Sequence, residues 1–421
     1  MLEKLAELVY QQADAHFAII ALDLDGFKEI NDTLGHDYGD LLLQAVTQRI
    51  VNILPENAVA ARLGGDEFIV LIDKIDNKAI VETTAQNIKL AIIENYNIKN
   101  KHVYVTASIG ITLFPEDGKT VETLFKYADL AMYKSKELGR NCYQFFNPNM
   151  LDLLVKKRKL IEDLRIGLKQ GQFELYYQPI TDLISGRICK AEALIRWKHP
   201  TRGIVSPLEF IPVAEETGLI KELGLWVAKT ATSDLSELLA LGAEHFQISI
   251  NVSPEQFKGN DQWITNWFEH MQMLGLNKDA IIVEITENLL MENEDSIRIK
   301  LMKLKKHGIT IAIDDFGVGY SSLSYLQKMD VDILKIDKSF VDDLVMQSNS
   351  RDLCRTMIIM ARHLNIQVIA EGIETQEQKK ILTDFGCEFG QGYLFSKPLP
   401  LEQFKENYFG FSIPNNQLLV M

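Results

Sequence analysis

Two groups of carboxylates along this 421-residue chain have the setting that metal ions require. In the first, Asp23 closes the apolar run that starts at Phe17, with Asp25 two residues on. Gly64-Gly65-Asp66-Glu67-Phe68 makes a turn between two further apolar runs. The glycines supply the backbone freedom of a tight hairpin, and acids at its tip do no packing. If that hairpin pairs beside the first strand, Asp23 and Asp66 can share divalent cations. Paired, oxygen-ligated Mg²⁺ or Mn²⁺ suits displacement at a nucleotide phosphate. In the second group, Glu192 is followed four residues later by Arg196, Asn251 ends Ile248-Ser249-Ile250, and Glu284 sits within Val283 to Glu287. Asp314-Asp315 follows Ile311-Ala312-Ile313, and Lys335 is embedded in Ile333-Leu334-Lys335-Ile336-Asp337. Apolar neighbours and nearby metal charge would both lower the lysine pKa, which predicts a neutral amine able to act as a base. Oxygen ligands from four strands and one lysine complete a metal-assisted hydrolytic site.

The elements that must position these residues fall into two patterns. Residues 1–146 alternate short strands and helices: strands at Phe17 to Asp23, Val59 to Leu63, Phe68 to Ile72 and Val103 to Phe114, and helices at Leu41 to Leu54, Ala79 to Ile93 and Thr120 to Leu138. Hairpins among helices predict an α+β layer fold. Asn147-Pro148-Asn149 breaks the pattern, and a charged helix from Leu151 to Lys169 reads as a connector. Its basic stretch, Lys156 to Lys159, is read as a solvated face. From Phe173 the rhythm becomes strand, loop, helix, with strand ends near Glu192, Asn251, Glu284, Asp314, Lys335, Glu371 and Gln391. About 240 residues in such units suit one α/β TIM-type (β/α)₈ barrel, whose strand ends converge on one face. One polar residue at a strand end would be a cap or an ion pair; seven together point to a site. The expected division is 1–146, a connector at 147–170, and a barrel at 171–421.

Composition narrows the classes. With 47% apolar and 24% charged residues the chain is globular rather than disordered. No apolar run approaches the ~18 residues of a membrane span, and the N-terminus lacks signal-peptide form, so no membrane contact is expected within this chain. Cys142, Cys189, Cys354 and Cys387 have no CxxC spacing, which argues against zinc and disulfides and for a reducing cytoplasm. The formal charge of −14 disfavours a nucleic-acid polymer as partner. Asp315-Phe316-Gly317 spells a kinase metal motif, but none of that motif's companions is present. The eight histidines show no ligand spacing, so His199, His307 and His363 are assigned to packing or surface.

Asp23-Leu24-Asp25-Gly26-Phe27-Lys28, Asn31-Asp32, Gly35-His36, Gly39-Asp40 and the glycine hairpin together resemble the GGDEF family of diguanylate cyclases, which join two GTP molecules into cyclic di-GMP. The resemblance covers about residues 1–146 and implies a polymerase-palm-like fold. By it, Asp23, the Leu24 carbonyl and Asp66 are metal ligands, and Glu67 is the acid near the attacking hydroxyl. Asn31 and Asp40 read guanine, and Lys28, Lys136 and Arg140 neutralise phosphates, the last two expected on one face of the final helix. The family's Asp-x-Leu-Thr-Gly-Leu-x-Asn-Arg segment is missing. Its product-inhibition motif would fall on Pro55 to Ala58, without either charge, so feedback inhibition there is not expected. Turnover of GTP would need two such domains face to face, hence a homodimer.

The second group resembles the EAL family of cyclic di-GMP phosphodiesterases, which open the cyclic dinucleotide to linear pGpG. The match covers about residues 155–408. By it, Glu192, Asn251, Glu284, Asp314 and Asp315 are ligands of two Mg²⁺ or Mn²⁺ ions, and Lys335 and Glu371 help activate water. Gln178, Arg196 and Gln391 contact the substrate, and Glu287 holds the loop Asp315 to Ser322 that couples dimerisation to metal binding. Three functions follow from the resemblances. The main one is a phosphodiesterase whose upstream domain binds GTP and regulates it. A bifunctional enzyme and a non-catalytic cyclic di-GMP receptor are the alternatives, and a complete metal set with Lys335 argues against the receptor. All of this is compatible with the cytoplasmic part of a longer, membrane-attached protein.

Overall fold

A computed structural model of the chain describes residues 16–243, 245–287, 289, 295–318, 330–345 and 348–410. It divides into two compact units, Met1–Arg158 and Lys159–Met421.

The first unit is built on β1 (Phe17–Asp25). Its run of apolar residues is unbroken because both faces are covered. Ala18, Ile20, Leu22 and Leu24 join one cluster, while Phe17, Ile19 and Ala21 join another on the opposite face. After β1 come α1 (Phe27–Leu34), α2 (His36–Ile53), β2 (Ala58–Gly64), β3 (Glu67–Asp73), α3 (Lys78–Ile93), the small hairpin β4 (Tyr96–Ile98) and β5 (Lys101–Val103), β6 (Thr106–Phe114), α4 (Val121–Glu137) and β7 (Tyr143–Phe145). The sheet order is β2-β3-β1-β6-β7, antiparallel except for β6 with β7. This is the expected α+β layer. Helix α2 packs on the Leu24 face and α4 on the Phe17 face. Gly110 lets α4 lie directly on β6, since a Cβ there would fall 2.0 Å from the Ala128 carbonyl oxygen. The single long strand expected from Val103 is divided instead. Val103 pairs back on Tyr96 in the small hairpin, and the sheet strand begins only at Thr106.

The dividing line between the units falls within α5 (Asn149–Gln170), the expected connector. The second unit continues with β8 (Phe173–Asp182), β9 (Ile188–His199), β10 (Gly203–Val205), α6 (Pro207–Glu216), α7 (Ile220–Ala240), β11 (Gln247–Asn251), α8 (Pro254–Phe257), α9 (Gln262–Met273) and β12 (Ile281–Thr286). It ends with α10 (Asp295–Lys306), β13 (Thr310–Phe316), β14 (Ile333–Ile336), α11 (Lys338–Asp342), α12 (Ser348–His363), β15 (Gln367–Ala370), α13 (Gln376–Phe385), β16 (Phe389–Gly390), β17 (Leu399–Pro400) and α14 (Leu401–Phe409). Among the described residues eight strands close a barrel in the order β8-β9-β11-β12-β13-β14-β15-β16, with β16 returning to β8. This is the expected TIM-type barrel in a mixed form, since β8 runs antiparallel to both neighbours. One expectation is corrected here: Glu192 is not at a strand end. Strand β9 continues to His199, held by Phe173 opposite Trp197 and by β10.

Alternation with period two decides what faces the barrel interior. Ile180, Ile282, Ala312, Ile333 and Ile369, with Phe389 against them, form an apolar plug across the barrel. Each lies two residues from a polar residue of the site: Gln178, Glu284, Asp314, Lys335, Glu371 and Gln391. The plug is wholly apolar, and the layer above it is the site. The described residues contain no helix long and apolar enough to cross a membrane.

Candidate functional site

At the barrel mouth Lys335 is fully buried, and its ammonium faces four carboxylates. Its Nζ lies 2.7 Å from Glu371 Oε1, 2.8 Å from Glu284 Oε2, 3.1 Å from Asp314 Oδ1 and 3.6 Å from Glu192 Oε2. A second chain of contacts spans the ring. Glu192 accepts from Asn251 Nδ2 at 2.7 Å and from Gln391 Nε2 at 2.6 Å. Gln391 Nε2 also donates to Gln178 Oε1 at 3.0 Å, and Gln178 donates to the Ser396 carbonyl. The strand ends expected to meet therefore do meet, and Gln178 joins them from the middle of β8, directly opposite Glu192.

Burial alone would drive Lys335 toward the neutral amine. The opposing charge of Asp314, Glu192, Glu284 and Glu371 is stronger and holds its pKa well above the usual lysine value. In the metal-free site these charges favour the ammonium, whereas the neutral base is expected beside metal charge. The cost falls on the acids. Burial pushes Glu284 well above the carboxylate range and Glu371 up to about 8, although Lys335 pulls both back. Glu192 goes the other way. Burial opposes its charge, yet Lys335 and the amides of Gln391 and Asn251 bring it below its usual value.

The donor set fits hard divalent cations. It consists of carboxylate and amide oxygens only, which suit Mg²⁺ or Mn²⁺. Ligand atoms from Asp314, Asp315 and Glu371 lie within 4.8 Å of one another. Glu284 Oε1 is buried with no hydrogen-bond partner, and Asp314 Oδ1 makes only its ion pair with Lys335, outside hydrogen-bond geometry. An unpaired buried carboxylate oxygen is costly, and a cation removes that cost. A prediction follows from the signs. Glu371 is protonated up to about pH 8 in the fold, but only up to about 4.5 in the unfolded chain. The metal-free barrel is thus most stable below about pH 4.5 as far as this group is concerned, and loses stability as pH rises toward about 8. Stabilisation by added Mg²⁺ should grow over the same window. Thermal unfolding in chelator and in Mg²⁺ at a series of pH values checks both slopes; a Mg²⁺ effect that shrinks with rising pH would contradict the assignment.

The loop anchor is also present. Glu287 Oε2 accepts from the Gly317 backbone N–H at 2.9 Å, where Gly317 has φ +101° and no room for a Cβ against Phe340. The remainder of that loop, from Gly319 to Ser322, lies outside the described residues. Two cavities open at the mouth and share Leu194. One, of about 250 Å³, is polar and includes Glu192, Asp314 and Glu371. The other, of about 280 Å³, is largely apolar and carries Arg196 and Asn251 on its wall.

In the first unit the hairpin does pair beside β1, with Asp23 opposite Glu67 and the Leu24 N–H on the Asp66 carbonyl at 3.4 Å. Lys136 Nζ lies 2.8 Å from Asp23 Oδ1. Burial foremost raises the Asp23 pKa, with Lys136 opposing and Asp66 adding to the rise. Arg140 is not on the helix with Lys136. Helix α4 stops at Glu137, Gly139 takes φ +102°, and Arg140 follows in a turn at φ 64°. Asn31 on α1 and Asp40 on α2 belong to adjacent helices. Asn31 Oδ1 is buried and unpartnered, and a Cβ on Gly39 would fall 1.9 Å from it, so Gly39 keeps that amide's place open. Lys28 is exposed on α1.

The sequence places Asp25 beside Asp23 but says nothing of the role the structure gives it. Its carboxylate accepts from Thr106 Oγ1 at 2.6 Å, Ser108 Oγ at 2.7 Å and the Asn141 N–H at 3.2 Å, tying β1 to β6 and to the Arg140 turn. No spacing rule could signal partners more than 80 residues away. His199 pairs with Asp163 at 3.4 Å, and His307 stacks on Phe268.

The family model of the EAL domain matches residues 161–398, and that of the diguanylate cyclase, GGDEF domain, matches residues 1–142. The chain is 40% identical over 390 residues to the cyclic di-GMP phosphodiesterase NbdA of Pseudomonas aeruginosa, covering 92% of this chain and 49% of NbdA. It is 39% identical over 407 residues to the bifunctional diguanylate cyclase/cyclic di-GMP phosphodiesterase MucR of the same organism, covering 96% of this chain and 59% of MucR. The chain spans about half the length of these curated relatives. Among solved structures, the PaMucR phosphodiesterase in complex with c-di-GMP superposes with a TM-score of 0.56 at 36% identity, covering 58% of this chain and 99% of that one. With the EAL model matching residues 161–398, more than half of its length, and the cyclase model matching residues 1–142, this chain carries a GGDEF domain followed by an EAL domain and belongs to the EAL family.

Proposed function

We propose that the barrel hydrolyses cyclic di-GMP to linear pGpG with two Mg²⁺ or Mn²⁺ ions, and that the first unit binds GTP and tunes it. The observation that carries this reading is the set of Glu192, Glu284, Asp314 and Glu371 around one buried ammonium, with Asn251 on Glu192 and Asp315 beside Asp314, above an apolar plug. The names of the relatives supply the substrate class. These oxygens would hold the ions, and the ions would polarise the phosphodiester and activate water. Glu371 and Lys335, 2.7 Å apart, are the pair placed to take the proton of the attacking water, since one stabilises the charge the other gains or loses. Gln391 and Gln178 fix Glu192 through the amide chain, so the ligand geometry does not depend on a mobile side chain. The apolar cavity beside Leu194 offers a base a desolvated wall, with Arg196 at its edge.

A second reading, synthesis of cyclic di-GMP by a homodimer in the cytoplasm, is favoured by Asp23, Asp66 and Glu67 meeting at one strand end and by the open amide of Asn31. Purified protein with Mg²⁺ or Mn²⁺, given GTP in one reaction and cyclic di-GMP in another, separates the readings by product chromatography. Conversion of GTP together with cleavage of cyclic di-GMP establishes the bifunctional enzyme, and failure to cleave cyclic di-GMP revives the receptor reading for the barrel. Replacing Asp66 and Glu67 together by Ala should leave basal hydrolysis within about twofold, because no group of the barrel site is touched, and should remove any response to GTP. Loss of hydrolysis in that variant would refute the division of labour.

A further inference from the structure

The polar cavity at the barrel mouth is walled by acids, Glu192, Asp314, Glu371 and Glu374, and Lys338 is the one cation on its wall among the described residues. Lys338 opens α11, three residues after Lys335, and is held from two sides. Its Nζ donates to Glu374 Oε1 at 2.7 Å, while Asp342 Oδ1 at 3.9 Å is beyond hydrogen-bond reach. Its stem lies over Gly372, next to Glu371. Gly372 has φ +68°, and a Cβ there would fall 2.3 Å from Lys338 Cγ. The Glu374 N–H is fixed on Gln378 Oε1 at 2.8 Å, and Gln378 Nε2 donates to the Val341 carbonyl of α11 at 3.1 Å. The buried Gln378 therefore ties the backbone of Glu374 to the helix that carries the lysine. An ammonium has three N–H donors, and Glu374 takes one.

A cyclic dinucleotide brings two phosphodiester anions to this mouth. One belongs over the metal ligands and Lys335. The other enters a field of carboxylates and is repelled unless a cation meets it. We propose that Lys338 is a specificity-determining residue whose ammonium meets the phosphodiester that is not cleaved. The inference rests on the cyclic dinucleotide reading above. Glu374 then serves as a positioning residue, holding the lysine at the wall between turnovers.

The test compares the full chain with Lys338→Met and Lys338→Arg on two substrates: cyclic di-GMP, and its analogue in which one phosphodiester is a neutral methylphosphonate. On cyclic di-GMP, Lys338→Met should raise KM roughly tenfold with kcat within about twofold, and Lys338→Arg should restore most of the KM. On the analogue, wild type and Lys338→Met should have the same KM, since the charge Lys338 meets is absent. An unchanged KM on cyclic di-GMP, as for an ordinary solvated ion pair, overturns the inference. So does an equal penalty on both substrates. A wild type that cleaves neither substrate overturns the phosphodiesterase reading itself, which is a different result from a wild type that cleaves cyclic di-GMP while Lys338 is indifferent.

Discussion

Lys335→Met should unfold the metal-free barrel more readily by about 3–5 kcal/mol, the cost of removing one partner from a buried ion cluster. The side chains are close in volume, so packing changes little. What changes is charge: Glu192, Glu284, Asp314 and Glu371 lose the ammonium within 3.6 Å of each of them. They must then take up protons or admit water. A divalent ion at the same oxygens replaces the missing charge, so Mn²⁺ or Mg²⁺ should raise the melting temperature of the variant more than that of the wild type. Hydrolysis should stay depressed by roughly 10²–10⁴-fold even with saturating metal, because the proton-sharing partner of Glu371 is gone. The two readouts separate two roles for one residue. A variant as stable as wild type in chelator would show that the cluster is protonated or hydrated enough not to need its lysine. Full turnover in metal would remove Lys335 from the chemistry.

The legible part of this molecule is the part written in local pattern. Short apolar runs ending in Asn251, Asp314 and Gln391 announced strands whose ends converge, since a parallel strand buried on both faces reads as an apolar run and stops where a functional residue begins. The glycine hairpin announced Asp66 beside Asp23. What pattern could not carry was direction and charge. Nothing in Phe173–Asp182 says that β8 runs against its neighbours, because alternation looks the same from either end. For Lys335, the apolar neighbours in sequence show burial but not the charges that surround it. The residues that decide its state, Glu192, Glu284, Asp314 and Glu371, reach it only across the barrel. Arg140 was misplaced because the spacing from Lys136 is helical, yet Gly139 ends the helix first. The amide chain from Gln178 to Gln391, 213 residues apart, had no sequence signal at all.

Glu192→Ala should lower hydrolysis by roughly 10³-fold or more while the barrel remains folded. The reasons for the two halves of this outcome are separate. Burial opposes the charge of Glu192, yet Lys335 and the amides of Gln391 and Asn251 hold its pKa below the usual value, which favours the anion that a metal ligand must be. It is also the acceptor shared by Asn251 and Gln391, and without it both amides lose the contact that aims them into the site. Stability responds differently. Removing Glu192 takes a negative charge away from Glu284 and Glu371, whose pKa values it raises, and this offsets the two lost hydrogen bonds of about 1 kcal/mol each. The melting temperature in chelator should therefore stay near wild type. The gain on adding Mg²⁺ should fall, because an oxygen ligand is missing. Product chromatography and metal-dependent unfolding check the pair of expectations together. Retained turnover with a normal Mg²⁺ shift would remove Glu192 from the metal ligands. Lost turnover with a collapsed fold would show that its hydrogen bonds, not its charge, are what the barrel needs.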